Sequence, residues 1–433
     1  MIDRFLPSML RLYRAKLSRF YVARVVRHCA HVGLVFLYRL KCIAIGQMKG
    51  GKFRFFTPEQ FGRQYFPMCE ILVPEKHVVI DGPRSSYKHS FGFNAELRIK
   101  FLMPELRTLC LNDAVAIGGT GFLIVQGGVM LPELFDPEKD TCLAETYGVV
   151  KIIDEGSAIR FYTSKPALER NEAISLLGQC ANNYAHWMTE LLPKLLMVDA
   201  SSRYDGWPLL IDASAVRSFE ECIRLFNTKR RKIIVVDSWA PVILTKVVHV
   251  SAPAYEPYRP DRIKKQEACN YINIFSPEVM KMLRDEAHRV VKAESVVPYR
   301  RVYLDRGKAG NLRSITNREQ VNGVLRDYKF ETIEPAKLSI SEQINVCREA
   351  ECIIAPIGAA LINMIFATEG CKVFALVGKY DYGNYYYYSN LAGVLGCEFY
   401  YVLGEPVTAG GQDMHFDYTV DIEGLRASLE AGL

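Results

Sequence analysis

The 433-residue sequence has no Cys-x-x-Cys pair, no Asn-x-Ser/Thr acceptor and no Asp-x-Asp triplet. The first absence removes zinc ribbons and thioredoxin-type redox centres. The second fits a chain that never meets the secretory glycosylation machinery. The third leaves no acidic triplet with which to hold a metal-bound diphosphate. Twelve cysteines are present but scattered, mostly among apolar neighbours, as expected of thiols kept reduced. Long apolar runs are also missing. The longest uncharged stretch near the N-terminus runs from His28 to Tyr38, too short to span a bilayer, and nothing resembles a cleavable signal peptide. With 49% hydrophobic and 24% charged residues, the composition is that of a globular protein, and the length calls for two domains.

The net charge of +6 is unevenly spread. Residues 1–50 carry ten basic side chains against the single acid Asp3, so the remaining body is slightly acidic. Nucleic-acid binding is therefore not expected. In the arm, Phe5, Leu6, Met9, Leu10, Tyr13, Leu17, Phe20 and Tyr21 recur at three- and four-residue spacing between basic residues. This pattern predicts an amphipathic helix suited to an anionic membrane surface, to the protein's own body or to a partner.

Residues 51–165 hold short apolar runs and glycine clusters and read as strands and hairpins. The pairs Gly118-Gly119 and Gly127-Gly128 read as hairpin turns rather than a phosphate loop, because no Lys-Ser/Thr follows. From about residue 172, helical patterns alternate with β-rich runs such as WPLLI (Trp207–Ile211) and KIIVV (Lys232–Val236). A second alternating series begins at Arg301. The expected fold is α/β, with two Rossmann-like domains behind a β-rich segment and a basic helical arm. The expected boundaries are 1–50 for the arm, 51–165 for the β-rich segment, 166–296 and 297–410 for the two domains, and 411–433 for a C-terminal helix.

Three segments carry chemistry. In Asn182–Lys194, His186 and Glu190 stand four apart and share one helix face, an arrangement suited to a general base oriented by a carboxylate. A core helix with an incidental ion pair is the plainer alternative. Asn183 and Trp187 beside them suit a sugar-binding surface. In Arg301–Arg313, a strand runs into a loop bearing Arg306, Lys308 and Arg313, and arginines there can grip a diphosphate. In Glu351–Asn363, a buried strand turns at Pro356–Gly358 into a helix opening with small residues, as a close phosphate approach requires. The stretch Lys379–Tyr388 adds six tyrosines, Tyr382 among them.

Together these segments resemble glycosyltransferase family 61, inverting enzymes that use nucleotide sugars and have the B-type architecture. The family's His-Trp-x-x-Glu-x-x-Pro stretch is matched by His186, Trp187, Glu190 and Pro193. Its arginine-bearing strand end and helix start are matched by Arg306, Arg313, Asn317 and Glu319. Its Leu-Ser-x-x-Glu-Gln-Ile helix is matched by Leu338, Ser339, Glu342, Gln343 and Ile344. Its glycine turn is matched by Gly358, Ala359, Leu361 and Asn363. The resemblance runs from about residue 110 to 430. Ile357 stands where the family usually has histidine, and Ala355 where it often has glycine.

The resemblance implies a base at His186 or Glu190. It implies a donor site of Arg306, Arg313, Asn317, Glu342, Gly358, Ala359 and Asn363, while the residue types at Asn183, Trp187 and Tyr382 suggest acceptor or sugar contacts there. The partners expected are a nucleotide-diphosphate sugar and a glycan or lipid-linked acceptor, with no cofactor and no required metal. The expected place is the cytoplasm, with the arm on the inner face of the plasma membrane. A non-catalytic scaffold subunit of a polysaccharide assembly complex, or another nucleotide-sugar-binding α/β enzyme, stays open as an alternative.

Overall fold

The computed structural model describes residues 52–56, 69–85, 98–125, 128–137, 140, 142–153, 157–163, 168–256, 273–292, 297–307, 313–379, 385–407 and 416–433. The basic arm and Tyr382 lie outside the described residues. The fold is mixed α/β with several sheets. Strands dominate residues 52–161. Gly118 and Gly119 fall between the antiparallel strands Leu106–Ile117 and Leu123–Val125, whereas Gly128 opens the next strand, Gly128–Met130, and Gly127 lies outside the described residues.

Four strands of the first alternating series are mutually parallel, in the order Ile233–Val236, Leu209–Asp212, Leu168–Ser175, Pro241–Val250. They do not form a sheet of their own. Pro241–Val250 bonds antiparallel to Leu106–Ile117 over nine residue pairs, joining the β-rich part and the parallel strands into one eleven-stranded sheet among the described residues. Leu168–Ser175, with its polar run Glu169-Arg170-Asn171-Glu172, gives little strand signal. It is strand because neighbours on both sides saturate its backbone.

The second alternating series folds into a sheet whose first five strands run Glu331–Ile333, Arg300–Leu304, Ala350–Pro356, Lys372–Gly378, Glu398–Pro406, all parallel. In chain order this is 2-1-3-4-5. The chain reverses direction across the sheet between Arg300–Leu304 and Ala350–Pro356, and ligands of such sheets bind beyond the strand ends at that point. Alternate residues point to opposite faces. Tyr303, Ile354 and Phe374 meet Val321, Leu325 and Leu429 on one side, whereas Val302, Ile353 and Val373 meet Ile344, Leu361 and Leu391 on the other. Helix starts are well specified. Ser276 caps Pro277–Val290, and Ser339 with Glu342 forms a reciprocal capping box at Ile340–Arg348.

The segment Tyr184–Asp199 lies between the two series. It is not a plain α-helix. One turn, Tyr184–His186, leads into a π-helical stretch, Trp187–Leu191, and then into α-helix Leu192–Asp199. Pro193 explains the wide turn: it has no N–H for the carbonyl four residues back, and its ring would crowd that carbonyl. Trp187 is 1% exposed, stacks on Phe219 (5.7 Å between centroids) and donates through Nε1 to the Cys222 thiol. Trp187 therefore fills the core and offers no face to a sugar. The same apolar cluster holds Met188, Leu191 and Leu195 with Ile344, Cys347 and Leu361, so the two series share a core. Trp187→Ala is expected to cost about 3–5 kcal/mol of stability, and Trp187→Phe clearly less, in chemical denaturation. Equal stability of Trp187→Ala and wild type would contradict this packing.

Candidate active site

Two groups of charged side chains meet at the junction of the two series. The first is built on the π-helical segment. His186 Nδ1 lies 2.8 Å from Glu190 Oε1, and its Nε2 lies 3.6 Å from Glu256 Oε2. Both ring nitrogens thus face carboxylates, a setting that the doubly protonated ring satisfies best. Burial disfavours the charged ring, but the Glu190 carboxylate, by charge and hydrogen bond, and then Glu256 outweigh it and push His186 up to about 9. At neutral pH the ring is charged and has no lone pair with which to take a proton. Glu256 is raised, by burial first and by Glu190 next, against the pull of His186. Farther along the helix, buried Lys194 lines a cavity of about 50 Å³ with Glu190, Gln179 and Thr120. Burial lowers its pKa, opposed by Glu133, Glu190 and Asp212.

The second group stands at the reversal point of the parallel sheet. Arg306 follows strand Arg300–Leu304, and Gly358 follows strand Ala350–Pro356. Arg306 Nη1 is buried without a hydrogen-bond partner among the described residues. Its guanidinium is held below its ordinary value by burial and then by the charge of Arg313. Asp305, next in sequence, does not neutralise it, because that carboxylate pairs with Arg318. Gly358 adopts φ 142°, where L-residues are strained, and a Cβ there would sit 3.5 Å from the Arg306 guanidinium carbon. Two cations beside a stretch of bare backbone form an anion-receptive surface.

Tyr387 and Tyr388, at the start of helix Tyr386–Leu395, stand between the groups. The Tyr387 hydroxyl is 3.3 Å from that of Thr189, and burial followed by the Glu256 charge raises its pKa. Tyr388 receives the Gly358 N–H and lies within electrostatic reach of Arg313, Glu256 and Arg306. Burial chiefly pushes its phenol up to about 12.

The other residues singled out from the sequence have structural partners. Asn363 is 1% exposed, accepts from the Tyr184 hydroxyl at 2.6 Å and donates to Gln343 at 2.8 Å, tying the two series together. Asn317 spends its amide on both backbone groups of Val420, and Glu342 closes the capping box. Asn183 caps the first helical turn by accepting from Ala185 N–H, and Ala359 is exposed at the start of the 3-10 helix Ala359–Phe366. Ile357 is buried in the core, and its N–H donates to Leu376.

Residues 184–374 match the family model described as Glycosyltransferase 61. That segment, somewhat under half of the chain, is similar to glycosyltransferase 61 domains. No curated protein matches the chain. The glycosyltransferase 61 match is shorter than the resemblance read from the motifs. It holds His186, Glu190, Arg306, Arg313 and Gly358, and ends before the tyrosine helix. Among its described residues, no helix is long and apolar enough to cross a membrane, and no group of three or more His, Cys, Asp or Glu side chains is arranged to hold a metal.

Sequence reasoning missed Glu256. It stands just past the short strand Ala254–Tyr255, with no periodic pattern to mark it. The raised pKa of His186 fixes the sign of a pH effect. The stabilisation that ring contributes is complete below its ordinary value near 6.5 and is lost as pH rises through about 9. The stability difference between wild type and His186→Gln in urea is therefore expected to narrow as the pH passes 9. A difference that widens would contradict the arrangement.

Proposed function

We propose that the protein is an inverting glycosyltransferase that moves a sugar from a nucleotide-diphosphate donor to a hydroxyl of a growing surface glycan, such as capsule or lipopolysaccharide. The observation that carries this reading is the placement of Arg306, whose Nη1 is buried without a hydrogen-bond partner among the described residues, beside Arg313 and across Tyr388 from the His186 carboxylate cluster. The 2-1-3-4-5 sheet supports a Rossmann-like donor domain, because both Arg306 and the Gly358 turn follow the strands that flank its reversal point. The parallel strands around Leu209–Asp212 form the core of the acceptor-side domain.

In a single displacement, the acceptor hydroxyl attacks the anomeric carbon while the diphosphate departs. The arginines stabilise the charge that develops on the leaving group, in the way of other preorganised electrostatic sites. The carboxylate cluster removes the hydroxyl proton, an effect worth on the order of 10²–10⁴ in rate. Because guanidinium groups supply the positive charge, no metal is needed in this scheme. The basic arm holds the enzyme against anionic lipid on the inner face of the plasma membrane, near a lipid-linked acceptor.

Arg306→Ala is expected to weaken binding of a nucleoside diphosphate by roughly 10- to 100-fold, the worth of charge-assisted hydrogen bonds, with Arg306→Lys restoring only part. Calorimetric titration with UDP, GDP, ADP and dTDP checks this, and EDTA should leave turnover unchanged. Absence of binding by all four nucleotides in the wild type would favour the scaffold reading, which rests on Ile357 occupying the place of the family histidine. In cell fractionation, removal of residues 1–50 should shift the protein from the membrane to the soluble fraction at low salt. Unchanged distribution would argue against a lipid role for the arm.

A further inference from the structure

Three groups could take the acceptor's proton, and their surroundings differ. The His186 ring is enclosed by carboxylates on both nitrogens. Glu190 is 14% exposed at its side chain, bound to that ring at 2.8 Å and backed by Lys194. It lines the inner cavity with Lys194. Glu256 is different. Its side chain is 36% exposed, its contact with His186 is the longer one at 3.6 Å, and it acts electrostatically on both Tyr387 and Tyr388. Tyr388 thus links it to the donor side, because Arg306 and Arg313 also lie within electrostatic reach of that hydroxyl. The other buried carboxylates of this region are occupied: Asp212 accepts from the Gly119 and Gly178 N–H groups, and Glu133 is bound to His249 and Ser251.

We propose that Glu256 is the catalytic base of the transfer, and that His186, hydrogen-bonded to Glu190 on its other nitrogen, is a positioning residue that orients it. This rests on the glycosyltransferase reading given above. In the step, a Glu256 oxygen takes the proton of the acceptor hydroxyl as that O–H bond breaks. The acceptor oxygen forms a bond to the anomeric carbon, the bond from that carbon to the phosphate oxygen breaks, and the diphosphate leaves with the electron pair onto the arginine surface. The proton on Glu256 is then lost to solvent, which its partial exposure allows. Burial and the Glu190 charge make Glu256 a stronger base than an ordinary glutamate. The charged and titratable groups facing the cluster are Glu190 and Lys194 from its own helix, Tyr387 and Tyr388 from helix Tyr386–Leu395, and Arg306 and Arg313 from the donor side.

The test uses the full chain with a panel of UDP-, GDP-, ADP- and dTDP-sugars, water serving as the acceptor in donor hydrolysis. Glu256→Gln, which keeps the shape, is expected to lower kcat by about 10²–10⁴-fold while leaving nucleotide affinity within twofold of wild type. His186→Gln should lower kcat less and move the acid limb of the pH–rate profile upward, because Glu256 then loses the cation that favours its ionised form. Glu256→Gln with more than a tenth of wild-type turnover would overturn the proposal while leaving the donor-binding reading intact. If the wild type binds none of the nucleotides, the reading itself fails. A second measurement needs no turnover: ¹⁵N NMR titration of the His186 ring. Its midpoint, near 9 in wild type, should fall in Glu256→Gln. A midpoint that does not move would overturn the assignment of Glu256 to this cluster.

Discussion

The buried side of the segment Tyr184–Asp199 holds the catalytic region in register. Trp187, Met188, Leu191, Leu192 and Leu195 are locked into a core that both alternating series contribute to, and Tyr184 is tied to Asn363 on the far side. With those residues fixed, His186 and Glu190 have little freedom of position. The junction between the two series is thus an extension of the core, and the functional groups are its polar margin. A well-packed interior transmits position with little slack, which is what a site assembled from two sheets requires.

The charges at that margin are separated by design of the fold. Acidic groups and the histidine gather on the π-helical segment and at Glu256, arginines gather beyond the strands of the second sheet, and two tyrosines stand between. Arg313 lowers the tendency of Arg306 to remain charged, and burial and Glu190 do the same to Glu256 beside the imidazole. Such like-charge crowding weakens the empty site and is relieved when an anionic donor and a proton-donating acceptor arrive.

Local patterns carried most of the fold. The strands from Arg300 to Pro406 follow apolar runs, and the capping serines mark their helices, because both signals arise within a few residues. What escaped depends on distant partners. Leu168–Ser175 is a strand only by virtue of its neighbours. Trp187 in a polar neighbourhood looks like a sugar platform until Phe219, thirty-odd residues away, covers it. Asn317, Glu342 and Asn363 match the family motifs, yet their polar groups are engaged with Val420, Ser339, Tyr184 and Gln343. A motif residue can recur because it builds the site's frame, and spacing alone does not separate that from contact with substrate. Glu256 had no motif at all.

The π-helical turn at Trp187–Leu191 has an implication for how this region can change over time. A π turn holds one more residue than an α turn over the same span. Deleting any one of these five residues would let the backbone relax into an ordinary α-helix, which taken alone is the more stable form. Because the two kinds of turn cover nearly the same span and rotation, the helix on either side would keep its place, and the change would fall on the turn itself. Loss of a residue between His186 and Glu190 would bring the imidazole and its carboxylate to a spacing of three instead of four, and the side chains between them would be shared out anew. The extra residue thus sets which side chains of this one turn face the core and which face the chemistry.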